Sequence, residues 1–349
     1  MTVYVAVDLH AREQTVRVCD SSDGEIKKYH LYHQKDNVRG FYERLPGQVI
    51  VGFEASGYSA WFEQMLAELG HEYWLGNAAE IRRKAPRRQK NDNRDADLIL
   101  TLMLRGDFPR LHTFSEESRQ VLRQLRYRHK LVKVRTIAKN SLQAIALNAG
   151  LPLKRRLWSK AGLAQLEALP LSPVLAQQRT EWGQLLTTLN QRLTSLEASL
   201  AQQAYADPAT RLLLTHPGIG VLTALALRYT LDPISRFPNA RQVTGYVGLD
   251  CMEDQSSERR RMGHISKAGS RLLRFLLVEA GQTAVKEDQE LGRFYKRLAK
   301  RRDRPKAKVA VARKLLVRGY ILLRDQIDYG EFVRRGAAVR VARETHSTP

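Results

Sequence analysis

Val49-Ile50-Val51-Gly52-Phe53 is an unbroken apolar run held between the Pro46-Gly47 turn and Glu54. A strand with one wet face alternates apolar and polar residues, so a run of this kind needs cover on both faces. The rest of the N-terminal sequence supplies partners for it. Val3, Val5 and Val7 alternate with Tyr4 and Ala6, Val16 and Val18 flank Arg17, and a third strand is expected near Ile26 to Leu31. After a short helical stretch ending near Leu45 and the apolar run itself, the pattern predicts a helix from about Tyr58 to Leu69 and a short strand around Tyr73 to Leu75.

Three strands, a helix, a strand, a helix and a strand, in that order, suit an RNase H-like (RuvC-like) α/β domain over residues 1–112. Asp8 stands at the end of the first strand and Glu54 at the end of the apolar run. Pairing of these two strands would bring both carboxylates to one sheet edge. Asp92 and Asp95 are three apart at the start of a predicted helix, on one face of it. Asp97 is the nearest substitute for Asp95 but faces away from that side. Singly, Asp8 reads as a strand-end turn residue, Glu54 as a surface carboxylate and Asp92 as a helix N-cap. Those readings do not explain why acids stand at two buried strand ends and at a helix start within the most basic stretch of the chain. Four crowded carboxylates repel one another unless hard divalent ions relieve the charge, and magnesium is the natural occupant. Paired ions of this type support nuclease or strand-transfer chemistry on a phosphodiester.

The basic stretch is part of a wider asymmetry. Lysine and arginine outnumber aspartate and glutamate by 58 to 36, a net charge of +22. Residues 1–79 carry a net −4 and residues 80–160 a net +14. A charge of this size points to a polyanionic partner, nucleic acid first. The chain has no apolar run long enough to span a bilayer and no signal segment, so no membrane partner is expected. Two cysteines, Cys19 and Cys251, make no disulfide framework or metal spacing, which fits a reducing cytoplasm.

Residues 82–94, with Arg82, Arg83, Arg87 and Arg88, read as an exposed basic loop, followed by a helix from Asp92 towards Gly106. A longer helix, about Glu116 to Asn148, holds eight basic and no acidic residues between Arg119 and Lys139. Arg123, Arg126, Lys130 and Lys133 are its candidate phosphate contacts, and Tyr127 either stacks on an unpaired base or belongs to the core. Trp182, Leu186, Leu189, Leu193, Leu196 and Leu200 repeat with heptad spacing, which predicts either a helix packed within the chain or a dimeric coiled coil. Residues 113–206 thus form a helical, coiled-coil middle. A C-terminal domain, expected to be α-helical, covers 207–336, and a basic mobile tail covers 337–349.

Within that domain His216-Pro217-Gly218-Ile219-Gly220 precedes an apolar stretch, in the shape of a helix-hairpin-helix element. Gly218 and Gly220 there would let backbone amides approach a phosphate. Further on come Gly245-Tyr246-Val247-Gly248-Leu249 and the run from Gln255 through Ser256, Ser257, Glu258, Arg259, Arg260 and Arg261 to Ile265-Ser266-Lys267-Ala268-Gly269. The three arginines, with Lys267, face phosphate or form a solvated basic surface.

Taken together, VAVDLH, GFEASGY, KNDNRDAD, HPGIG, YVGL and SSERRRMGHISKAG resemble the DEDD transposases of the insertion sequence 110 class, the bridge-RNA-guided recombinases. The resemblance spans most of the chain. It implies that Asp8, Glu54, Asp92 and Asp95 form the metal site and that a serine of the second domain attacks DNA phosphate. Counting back from ISKAG assigns Ser256. The family commonly has glycine after that serine, where this chain has Ser257, so Ser257 stays in play. The resemblance also implies a guide (bridge) RNA that pairs with donor and target DNA, and a homo-oligomer, a dimer or dimer of dimers, in which carboxylates of one subunit work with the serine of another. The rival expectations are a hydrolytic nuclease or Holliday-junction resolvase using carboxylates alone, and a non-catalytic nucleic-acid-binding protein.

Overall fold

The computed structural model describes residues 1–85, 92–256, 259–301 and 303–345. The chain forms two compact units, Met1–Thr113 and the residues from Phe114 onward.

The first unit is a five-stranded mixed sheet with helices on both faces. Its elements are β1 (Thr2–Leu9), β2 (Glu13–Asp20), β3 (Ile26–Tyr32), α1 (Val38–Glu43), β4 (Gln48–Glu54), α2 (Ala60–Glu68), β5 (Glu72–Gly76), α3 (Ala78–Lys84) and α4 (Asp92–Leu104). The strand order is β3-β2-β1-β4-β5, with β1, β2 and β3 antiparallel and β1, β4 and β5 parallel. The apolar run in β4 is covered on both sides, as its composition requires. Val49, Val51 and Phe53 pack with Tyr42, Phe62 and Leu66 under α1 and α2. Ile50 joins Ala6, Cys19 and Trp74 under Ile99, Leu100 and Met103 of α4. Gly52 is a glycine because α4 lies so close that a Cβ would overlap the Met103 sulfur.

Arg82 and Arg83, expected in a loop, are helical. Asn77 caps α3 by accepting from the amides of Ala79 and Glu80, and Ile81 buries its one apolar face. Residues 86–91, with Arg87 and Arg88, lie outside the described residues.

The second unit is mostly helical: α5 (Glu116–Asn148), α6 (Lys160–Glu167), α7 (Pro173–Ala206), α8 (Pro208–Leu214), α9 (Val221–Thr230), α10 (Ala240–Val247), α11 (Arg271–Glu287), α12 (Gln289–Arg301), α13 (Arg304–Asp325) and α14 (Tyr329–Thr345). The heptad leucines of α7 turn inward within the chain. Leu189 and Leu193 meet Leu131 of α5, and Leu186 meets Ala138 and Leu142. At the other end of this pair, Val121, Leu122 and Leu125 of α5 and Leu200 of α7 enter one core with α9, α10, α11 and α13. The middle helices therefore share a core with the C-terminal ones.

Two features depart from the sequence expectation. The C-terminal region is not wholly α-helical, because β6 (Cys251–Ser256) and β7 (Arg259–Ile265) form an antiparallel hairpin within it. Within the expected tail from residue 337, no separate element begins among the described residues: α14 runs on as far as Thr345. Among the described residues, no helix is long and apolar enough to cross a membrane.

Candidate functional site

Strands β1 and β4 run parallel in a register that pairs Val7 with Phe53, so Asp8 and Glu54 follow side by side at the same end of adjacent strands. The Asp8 side chain is 15% exposed and its Oδ2 lies 3.2 Å from Nε2 of His10. Glu54 is more open, with its Oε1 3.6 Å from Nη2 of Arg82. Cationic or hydrogen-bonding groups thus stand against both carboxylates, which is how an acidic sheet edge is neutralised by protein alone.

Helix α4 crosses this sheet. Ala96, Ile99 and Met103 are buried beneath it, and one helical turn earlier the same face carries Asp95, with Asp92 at the first position. The backbone of Asp92 is described; its side chain lies outside the described residues. Asp97 has a separate structural duty. Its Oδ1 accepts from Nε of Arg17 at 2.5 Å, and Arg17 is 2% exposed in the middle of β2. Asp97 therefore neutralises a buried guanidinium, whereas among the described residues no cation pairs with Asp95. No three His, Cys, Asp or Glu side chains among the described residues converge closely enough to hold an ion. Carboxylate oxygens at the ends of two adjacent strands are the ligand type that a hard divalent cation takes.

The hairpin β6–β7 carries the second constellation. Ser256 is the last residue of β6 and pairs in register with Arg259, Gln255 with Arg260, and Asp254 with Arg261. For Ser256 and the three arginines the backbone is described and the side chains are not; Ser257 lies outside the described residues. The base of the hairpin is clamped. Gly248, which ends α10 at φ 74°, presses against the backbone of Lys267 and Ala268, and Gly269, at φ 62°, presses against Tyr246. Neither position has room for a Cβ. Ser266 closes the base by bonding to Asp250 through both side chain and backbone, at 2.5 Å and 3.0 Å. Arg274 donates to the carbonyls of Val247 and Ala268, tying both loops to α11. Lys267 is exposed in the left-handed region at φ 56° and precedes α11.

Gly218 and Gly220 divide in role. Gly218, at φ 87°, lies against Ala280 and Ala284 of α11 too tightly for any side chain, which gives it a packing reason. Gly220 is exposed at the N-terminus of α9 with open space beside it. On α5, Arg123, Arg126, Lys130 and Lys133 are all exposed at spacings of three and four, and Tyr127, 48% exposed, stands among them rather than in the core. Arg128 is excluded from that surface by its ion pair with Glu197 on α7. Arg82 and Arg83 are 75% exposed, Arg83 pairing with Glu80 at 3.4 Å. Sequence reasoning missed the contact of His10 with Asp8, for which the only signal was the spacing of two in Asp8-Leu9-His10.

Comparison with known proteins finds relatives over both units. A family model described as "Transposase IS116/IS110/IS902 family" matches residues 210–296, and the DEDD transposase model of the IS110 group matches residues 5–149. The chain is 28% identical over 291 residues to a probable family 20 transposase of Pseudomonas aeruginosa, covering 80% of this chain and 85% of that protein. It is 28% identical to the transposase for insertion sequence element IS1328 of Yersinia enterocolitica, covering 67% of this chain and 70% of that one. A third relative, the transposase for insertion sequence element IS1111A of Coxiella burnetii, is 27% identical over 64% of each chain.

Proposed function

The chain belongs to the IS110 family of transposases, and from that premise we propose that it cuts and rejoins DNA through a serine-phosphate intermediate, with a carboxylate quartet that holds magnesium. The observation that carries the reading is the β1–β4 register, which sets Asp8 and Glu54 side by side at the same end of adjacent strands. The strand order of the first unit is the one an RNase H-like fold requires and supports that assignment. Asp92 and Asp95, from the first turns of α4, complete the quartet. Bound magnesium would neutralise charge on the phosphoryl oxygens and ease deprotonation of the attacking hydroxyl.

The second unit supplies the nucleophile. Ser256 Oγ attacks phosphorus, the bond from phosphorus to the departing strand's oxygen breaks, and the serine proton ends on that oxygen or on solvent. The hydroxyl of an incoming strand reverses the step, releasing Ser256 and restoring a phosphodiester. Bond energy is conserved, so no external energy source is needed and joining is favoured over hydrolysis. Arg259, Arg260 and Arg261, on the strand facing Ser256, offset charge on the phosphoryl group. The glycine clamp beneath the hairpin limits its freedom, as a nucleophile that must meet phosphorus in line requires.

Donor and target DNA are chosen, in this reading, by base pairing to a bridge RNA. The exposed cations of α5 and of α3 hold nucleic acid through phosphate, which binds without reading sequence. The working form is a homo-oligomer. The test is replacement of Ser256, and separately Ser257, by alanine in the full chain with its bridge RNA. Loss of cleavage, joining and the protein–DNA adduct in Ser256→Ala alone is the expected result. Cleavage surviving both changes sinks the covalent route and leaves a hydrolytic nuclease. If Asp8→Asn alters no DNA transaction, the chain is a binding protein instead.

A further inference from the structure

Helix α12 carries Arg293, Lys296, Arg297, Lys300 and Arg301 within three turns, and all five are exposed. At 100° per residue they occupy one side of the helix, while Leu291, Phe294 and Leu298 occupy the other and pack inward. Like charges at spacings of three and four destabilise a helix, so a stripe of this kind is normally offset by acids. The neighbouring elements follow that rule. Lys314 pairs with Glu290, Arg318 with Asp288 and Glu290, Lys306 with Asp303, and Arg335 with Glu331. Among the described residues none of the five α12 cations meets a carboxylate.

The occupant follows from what the stripe has and lacks. Cations repeating about once per turn along a helix match a regular polyanion, and phosphate is the group such side chains contact most often. The aromatic rings of the helix, Phe294 and Tyr295, are partly buried, and the Phe294 ring is already covered by Arg297 and Lys314, whose cationic groups lie 5.8 Å and 4.6 Å from its centroid. Unpaired strands are gripped by stacking bases on exposed rings, which this face does not offer. We propose that this side of α12 binds the phosphate backbone of duplex DNA, in addition to the contacts made by α5. The proposal rests on the transposase reading only in that DNA is the polyanion the protein handles.

The test uses the full chain with Arg293, Lys296, Arg297 and Lys300 all changed to glutamine, which keeps helix propensity while removing charge. Binding to a duplex of about 30 base pairs of arbitrary sequence is followed by fluorescence anisotropy across a KCl series. Each lost phosphate contact lowers the slope of log K against log [KCl] by about 0.9, so the slope should fall by about 2–4. A parallel variant, Arg123→Gln with Arg126→Gln, Lys130→Gln and Lys133→Gln, serves as the reference. An unchanged slope in the α12 variant, while the α5 variant lowers it, overturns the proposal and spares the transposase reading. Absence of DNA binding by the unaltered chain overturns both. A loss confined to single-stranded DNA or to an RNA duplex of equal length refutes duplex DNA as the occupant. Circular dichroism of the variant should match the unaltered chain, since all four positions are exposed.

Discussion

Asp95→Asn and Asp97→Asn remove the same charge from one helix, two residues apart, yet their surroundings demand opposite phenotypes. Asp97 accepts from Arg17 at 2.5 Å, and the guanidinium is 2% exposed. A hydrogen bond to a desolvated charge contributes about 1.5–3 kcal/mol. Because Asp97 itself is 49% exposed, water takes over part of its role, and the expected loss is about 1–2 kcal/mol. With a urea slope of about 2 kcal/mol per molar, that shifts the midpoint by about 0.5–1 M. Asp95 has no cation among the described residues, so Asp95→Asn should change metal-free stability by less than about 0.5 kcal/mol. With the proposed quartet, magnesium should reverse the ranking. At ten times its dissociation constant a bound ion stabilises the fold by about 1.4 kcal/mol; Asp97→Asn should keep that gain and Asp95→Asn lose it, together with strand cleavage. Urea titrations with and without magnesium read both effects. Loss of the magnesium-linked gain in Asp97→Asn, with Asp95→Asn unaffected, would falsify the assignment of helix faces.

Three further outcomes follow from the second unit. Burial pushes the His216 imidazole down to about 4, so the folded state binds fewer protons than the unfolded one between about pH 4 and 6.5. Stability from this group is complete above that window and declines as pH falls through it, by at most about 1.4 kcal/mol per unit. Urea midpoints at pH 7 and pH 5 should differ in the unaltered chain and converge in His216→Gln; equal midpoints in the unaltered chain contradict the account. Gly248→Ala forces a side chain into the left-handed region, about 1–2 kcal/mol, and overlaps the Ala268 backbone, about 1–3 kcal/mol more. Amide exchange in the β6–β7 hairpin should accelerate, and unchanged exchange would show that the glycine does not clamp it. Leu193→Ala, at a 2% exposed position, should cost about 2–5 kcal/mol, against less than about 0.5 kcal/mol for Leu185→Ala, which is 37% exposed; equal losses would mean that α7 does not bury its heptad face.

What could be read from sequence depended on whether a residue's partner was near in the chain. Local periodicity identified β1, β2, β4 and α5, and the paired faces of β4 were implied by its composition alone. The adjacency of β1 and β4 was not local, since β2, β3 and α1 intervene. Arg17 shows the same limit in reverse. In an alternating strand it reads as the wet side, yet it is buried because Asp97 arrives on a helix 80 residues later to neutralise it. Helix α3 was hidden because a run of arginines resembles a loop, although Asn77 was a legible cap.

The hairpin was invisible for a different reason. Cys251 to Ser256 and Arg259 to Ile265 carry polar residues on both faces, so no period of two marks them as strands. Their stability comes from the base, where Gly248, Asp250, Ser266 and Gly269 bring two loops into backbone contact. The motifs YVGL and ISKAG, which look like separate signatures some twenty residues apart, are therefore the two sides of one clamp. That clamp ties the base of the polar, otherwise weak hairpin that carries Ser256 to the loops before and after it, through glycines that lie too close to the opposing backbone for any side chain.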